Sequence, residues 1–142
     1  MSPDTMAENP FRVIISDDEP FVRLLLKKVA RMAGLELVAE AENGQEALDR
    51  YRQHRPDLML LDINMPVKSG EETLKELLKE FPDARVIVLT SMSDMETAKR
   101  CISLGAKDCI LKDTPVPKIQ EILVGHVERF RSAALNPGAS SE

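Results

Sequence analysis

The sequence predicts an α/β domain built on a parallel sheet. Three observations carry that expectation. Strand-length apolar runs alternate with longer amphipathic stretches. The runs at 13, 58 and 86 are apolar without interruption, as expected of parallel strands covered on both faces. Breakers separate the elements: Gly34, Asn43-Gly44, Pro56, Gly70, Pro82 and Gly105. Five strand-then-helix units with right-handed crossovers leave few topologies open.

The first strand is read at 12–16 (RVIIS), and Val22, Leu25, Leu26, Val29 and Ala33 follow at helical spacing. The second strand, 36–41 (ELVAEA), leads into a helix starting near Gly44 that carries Ala47, Leu48 and Tyr51. The third, 57–61 (DLMLL), precedes a helix with Leu74, Leu77, Leu78 and Phe81 on one face. The fourth, 85–89 (RVIVL), precedes a weakly amphipathic stretch from Met95 to Leu104. The fifth, 108–111 (DCIL), precedes Ile119, Ile122, Leu123, Val127 and Phe130 on one helical face. There is no internal repeat. Residues 1–10 are polar and read as a flexible extension, 11–132 as the domain, and 133–142 as a flexible tail ending in NPGASSE.

A chain of 142 residues with 43% hydrophobic and 30% charged residues suits one domain with a sizeable core. Its 19 basic and 24 acidic residues give a net charge of −5, which does not suit non-specific nucleic-acid binding. No stretch reaches the length of a membrane span, and MSPDTMAEN lacks the basic start and apolar run of a secretory signal. The expected location is cytoplasmic. Cys101 and Cys109 form neither a disulfide framework nor a metal-like spacing and read as small buried thiols. His54 and His126 lie on helices with no acid or Cys at ligand spacing and read as surface or packing residues.

In an open parallel sheet, ligands bind outside the carboxyl ends of the strands. Asp17 and Asp18 follow the first strand, Asp62 the third, Thr90 and Ser91 the fourth, and Lys112 the fifth. Each has an ordinary reading when taken singly. Asp17 or Asp18 could cap the first helix, Thr90 or Ser93 the fourth, and Lys112 could be a solvated charge. Their shared edge favours one site. Clustered carboxylates disfavour each other's ionisation, and a divalent cation removes that penalty. An all-oxygen donor set suits Mg²⁺ better than Zn²⁺. A Lys and a Thr hydroxyl suit phosphoryl oxygens, and a carboxylate can itself be the nucleophile. The constellation reads as Mg²⁺-assisted phosphoryl transfer onto an Asp.

The segments DDEP, DLMLLDINMPVKSG, VIVLTS and LGAKDCILK, in this order and spacing, resemble the receiver domain of two-component response regulators over roughly residues 11–132. The resemblance implies a flavodoxin-like (βα)5 fold with a doubly wound five-stranded sheet in order 2-1-3-4-5. It implies that Asp62 accepts phosphate from a sensor histidine kinase or phosphotransfer protein. Asp18, Asp62 and the Asn64 backbone carbonyl would hold Mg²⁺, with Asp17 supporting the ion through water. Lys112 would contact the phosphoryl group, and Thr90 would move to hydrogen-bond it. That movement would shift the surface made by the fourth helix, fifth strand and fifth helix, and so the binding of an output domain or target, or homodimerisation. Phe21 and Leu24, beside the site, are candidate contacts for a kinase helix.

Three positions depart from the family pattern. Cys109 stands where many receivers carry an aromatic, so an aromatic rotamer switch cannot operate there. Asp113 stands where many have a proline after the Lys. Met92, two residues after Thr90, cannot orient a water well, and a phosphorylated form that is not unusually short-lived is expected. Rival readings fit less well. A phosphohydrolase of the haloacid-dehalogenase type needs an acid where Asn64 stands. A nucleotide-binding domain needs a Gly-rich loop where DDEP stands. A receiver-like module that binds partners without phosphorylation would not need the full set of Asp17, Asp18, Asp62, Thr90 and Lys112. No output domain is legible after the fifth helix, which is compatible with a stand-alone regulator or a piece of a longer protein.

Overall fold

A computed structural model describes residues 10–135. Its five strands are β1 (Phe11–Ser16), β2 (Leu35–Ala41), β3 (Leu58–Asp62), β4 (Val86–Thr90) and β5 (Asp108–Leu111). Its helices are α1 (Pro20–Met32), α2 (Gly44–His54), α3 (Gly70–Glu80), α4 (Met95–Leu104) and α5 (Val116–Leu135), with a 3-10 turn at Met92–Asp94. All strand pairs are parallel and the order is β2-β1-β3-β4-β5, the order that the resemblance implied. Helix α5 continues three residues past the boundary drawn at 132. The extension before Pro10 and the tail after Leu135 lie outside the described residues.

Alternation along the central strands explains the two layers. Val13, Ile15, Leu58, Leu60, Ile87 and Leu89 face α1 and α5, where Leu26, Val29, Ile119 and Leu123 meet them. The intervening Ile14, Met59, Leu61, Val86 and Val88 face α2, α3 and α4, where Leu48, Leu74, Leu77 and Cys101 meet them. Both faces are therefore apolar, which is why these strands read as unbroken hydrophobic runs. Fully burying each such side chain contributes roughly 1.5–3 kcal/mol. Phe81, expected on the face of α3, sits at the C-cap just past that helix. Its ring packs at 4.9 Å against Tyr51 of α2, so it contributes to the core from the following turn.

The helix starts carry sequence-legible caps where the cap is not needed for chemistry. The Asn43 side chain accepts from the Glu46 N–H at 2.8 Å, and Ser69 with Glu72 forms a reciprocal capping box on α3. Neither α1 nor α4 has a side-chain cap. The ordinary capping roles considered for Asp17, Asp18, Thr90 and Ser93 are thus not the ones these side chains adopt. No described helix is long and apolar enough to cross a membrane.

Candidate functional site

The five strands end along one edge, and their backbone pairing continues into the site. The Asp17 N–H donates to the Ala41 carbonyl at 3.0 Å, the Ile63 N–H to Leu89 at 3.1 Å and the Lys112 N–H to Thr90 at 2.8 Å. Position in the ladder thus sets where each functional side chain emerges. The β3–α3 connection closes back on itself, with the Gly70 N–H donating to the Ile63 carbonyl at 2.8 Å. A Cβ at Gly70 would lie 2.2 Å from the Asp62 carbonyl oxygen. Only glycine allows this approach, so α3 is seated directly against the backbone that carries Asp62.

Asp17 and Asp62 are buried, whereas Asp18 is exposed at the mouth. Carboxylate oxygens of these acids lie within 4.8 Å of one another. Lys112 Nζ lies 2.9 Å from Asp17 Oδ2, 3.0 Å from Asp62 Oδ2 and 3.2 Å from Glu19 Oε1. These are ion-pair distances, and among the described residues this one ammonium is the only partner that either Oδ2 has. Asp17 Oδ1 accepts from the Glu19 N–H at 2.9 Å, and Arg23 Nη1 donates to the Asp17 carbonyl at 2.7 Å. The same Arg23 pairs with Glu40 of β2 at 3.0 Å, which fixes the acidic loop from behind.

Burial pushes the Asp62 carboxyl up to about 7, and the neighbouring Asp17 charge adds to the rise while Lys112 opposes it. For Lys112, burial works against the ammonium, but its contacts with Asp17 and Asp62 outweigh that cost and raise its pKa. Lys112 is therefore held charged among acids and is not a solvated surface lysine. The donor set fits a hard divalent cation: all ligand atoms are oxygen, and the two buried carboxylates share a single ammonium.

The other side of the cleft comes from β4. Thr90 is buried and its hydroxyl donates to the Ser91 carbonyl at 3.0 Å. Ser91 Oγ donates to Asp94 Oδ2 at 3.1 Å, and the Asn64 side-chain amide donates to the same Asp94 oxygen. The Asn64 backbone N–H faces Asp62 Oδ1 at 3.3 Å. A cleft of about 320 Å³ results, lined by Asp18, Glu19, Asp62, Asn64, Ser91, Asp94 and Lys112. Asp94 was not singled out from the sequence. Its only signal is an acid in the polar SMSD turn just after Thr90. Arg23 was also missed, because nothing in a helix sequence marks a contact to a loop carbonyl.

A family model for the response regulator receiver domain matches residues 13–124. The chain belongs to this family. It is 38% identical over 112 residues to the chemotaxis protein CheY of Thermotoga maritima, covering 79% of this chain and 93% of that protein. The REC domain of AraT, a response regulator from Geobacillus stearothermophilus, superposes with a TM-score of 0.82 at 29% identity, covering 89% of this chain and 99% of that one. The CheX-CheY-BeF3-Mg complex from Borrelia burgdorferi matches with a TM-score of 0.78 at 30% identity over 87% of this chain and 92% of that one. The protein is thus a receiver, a class of signalling domain and not of classical enzymes.

The family departures take definite form in this receiver. Cys109 is half-buried beside the core, and burial pushes its thiol up; the fully buried Cys101 thiol is pushed up to about 11. Both are poor thiolates and behave as small apolar side chains. Among the described residues no peptide bond is cis, so Asp113 follows Lys112 through a trans bond. Met92 is 69% exposed and does not line the cleft. Phe21 is 75% and Leu24 47% exposed on α1. His126, read as lacking an acid partner, pairs through Nε2 with Asp108 Oδ2 at 2.8 Å. That partner lies across the α5–β5 packing and not on the same helix, so local spacing did not reveal it.

Proposed function

We propose that this receiver takes a phosphoryl group onto Asp62 from a phosphohistidine of a sensor kinase or phosphotransfer protein, in a Mg²⁺-dependent reaction. One observation supports this most: Asp17 and Asp62 are buried side by side and share one ammonium, Lys112, about 3 Å from both. Purely structural acids would be satisfied by hydrogen bonds or exposed. The relative crystallised with BeF3 and Mg supports the same reading.

In this reading Asp18, Asp62 and the Asn64 carbonyl would hold the cation, with Asp17 in support. When bound, Mg²⁺ supplies charge neutralisation for the clustered acids and the incoming phosphoryl oxygens. An Asp62 oxygen attacks phosphorus, the P–N bond to the donor breaks, and the imidazole leaves with the bonding electron pair. Attack needs the carboxylate, so a metal-free Asp62 with its pKa raised to about 7 is only partly competent near neutral pH. Lys112 offers its ammonium to a phosphoryl oxygen as the transferred group gains charge. Thr90 exchanges its bond to the Ser91 carbonyl for one to the phosphoryl group. The change reaches the α4–β5–α5 surface, where an output domain or target protein, or a second copy of the chain, is bound. Phe21 and Leu24 offer the kinase an apolar contact beside the acceptor, with both proteins in the cytoplasm.

Intact-protein mass spectrometry after incubation with acetyl phosphate tests the reading. Wild type is expected to gain one phosphoryl group only with Mg²⁺, and Asp62→Asn to gain none. Folded wild type that gains nothing with Mg²⁺ present would favour a module that binds its partner without phosphorylation.

A further inference from the structure

Thr90, Ser91, Asp94 and Asn64 form a hydrogen-bonded chain across the mouth of the cleft. The Thr90 hydroxyl is on the Ser91 carbonyl, the Ser91 hydroxyl is on the Asp94 carboxylate, and the Asn64 amide is on that same carboxylate. Ser93 Oγ adds a 2.9 Å contact to Ser91 Oγ. Asp94 therefore ties the β3–α3 loop to the turn that opens α4. It occupies the N-cap position of α4 but makes no side-chain cap bond, so its carboxylate serves the tie instead of the helix.

The position of this tie makes it sensitive to charge at Asp62. Asp94 lines the same cleft as Asp62 and reaches it through a single residue, Asn64, whose backbone N–H faces Asp62 Oδ1 at 3.3 Å. We propose that Asp94 is a charge-sensing latch: it holds the β4–α4 turn closed in the resting protein and is expelled when Asp62 carries a phosphoryl group. The inference rests on the phosphoacceptor reading above. Two effects act in the same direction. An acyl phosphate adds negative charge and strong acceptor oxygens where one carboxylate stood, and it repels the Asp94 carboxylate. Its oxygens also compete for the Asn64 amide, which is the tie's donor from the acid side. Loss of both bonds frees Ser91, and with it the carbonyl that engages the Thr90 hydroxyl. This route needs no aromatic at position 109, where this receiver has Cys109.

Opposite responses from two variants give the latch a signature that a merely structural residue would not. Asp94→Ala removes the tie. Asp94→Asn keeps an acceptor for Asn64 and a partner for Ser91 but removes the charge that phosphorylation repels. The readout is amide hydrogen exchange of residues 91–104 by mass spectrometry, with intact mass recorded on the same samples before and after acetyl phosphate and Mg²⁺. In wild type, exchange of 91–104 is expected to rise severalfold on phosphorylation. Asp94→Ala should exchange at that raised rate while unphosphorylated, and Asp94→Asn should stay protected in both states. The resting comparison requires no phosphoryl group. If Asp94→Ala matches resting wild type over 91–104, the latch is overturned whether or not Asp62 is modified. If intact mass shows phosphorylation and all three proteins respond alike, it is overturned as well. Absence of a mass gain in wild type counts against the phosphoacceptor reading alone.

Discussion

On the β1–β3 side of the cleft, Asp17 and Asp62 are buried and their backbones are fixed by the sheet, by Arg23 on the Asp17 carbonyl and by Gly70 against the Asp62 carbonyl. On the β4 side, Ser91 and Ser93 are exposed, Asp94 is half-buried, and one short turn with a few side-chain hydrogen bonds holds them. The first wall is pinned by backbone contacts and cannot move cheaply. The second can rearrange at the cost of bonds that water readily replaces. A fixed wall and a labile wall thus stand at different strand ends of one sheet.

The sharpest contrast between the walls is electrostatic. The folded pKa of Asp62 is raised from 3.8 to about 7, so its favourable contribution to stability is present below pH 3.8 and lost as pH rises through about 7. At pH 8.5 without divalent cations, Asp62→Asn is therefore expected to stabilise the protein, by at most on the order of 4 kcal/mol. Thermal melts from pH 4 to 8.5 should show this gain shrinking toward acid. Added Mg²⁺ should raise the wild-type melting temperature more than that of Asp62→Asn. A variant that is no more stable than wild type at pH 8.5 would mean that the buried Asp62 charge carries no net penalty.

Gly70→Ala should break the fixed wall next. Its Cβ would press on the Asp62 carbonyl oxygen and, at 2.7 Å, on Ile63 Cα, both of them backbone atoms. A loss of roughly 1–3 kcal/mol in urea denaturation is expected, with acetyl phosphate uptake slowed by more than tenfold in the protein that remains folded. Arg23→Ala comes third. It frees the Asp17 carbonyl and should cost about 1 kcal/mol, with Mg²⁺ binding weakened severalfold in a calorimetric titration. Smallest is Ser93→Ala on the labile wall. Its denaturation midpoint should stay within about 0.5 kcal/mol of wild type, because surface changes of this kind rarely exceed that. A large loss there would erase the distinction between the walls.

The same contrast explains what could be read without coordinates. The strands and the acids at their ends were legible because an unbroken apolar run ends where the sheet ends, and β1, β3 and β4 each match that rule to within a residue. Asp17, Asp18, Asp62 and Lys112 followed as the first polar residues beyond it. Asp94, Arg23 and the Asp108–His126 pair were not legible. Each owes its place to a side chain meeting another element, and no local periodicity encodes such a meeting. Helix α4 gave a weak pattern for a physical reason too, since the buried residues along it are only Ala98 and Cys101.

The most direct test of Asp62 as acceptor is borohydride reduction of the protein after acetyl phosphate and Mg²⁺ treatment, followed by peptide mapping. Hydride converts an aspartyl phosphate to homoserine with release of phosphate and leaves a free carboxylate untouched. Homoserine at position 62, and not at 17 or 18, is the expected result. Homoserine at Asp17 or Asp18, or at no aspartate in a sample whose intact mass shows the added phosphoryl group, would contradict it.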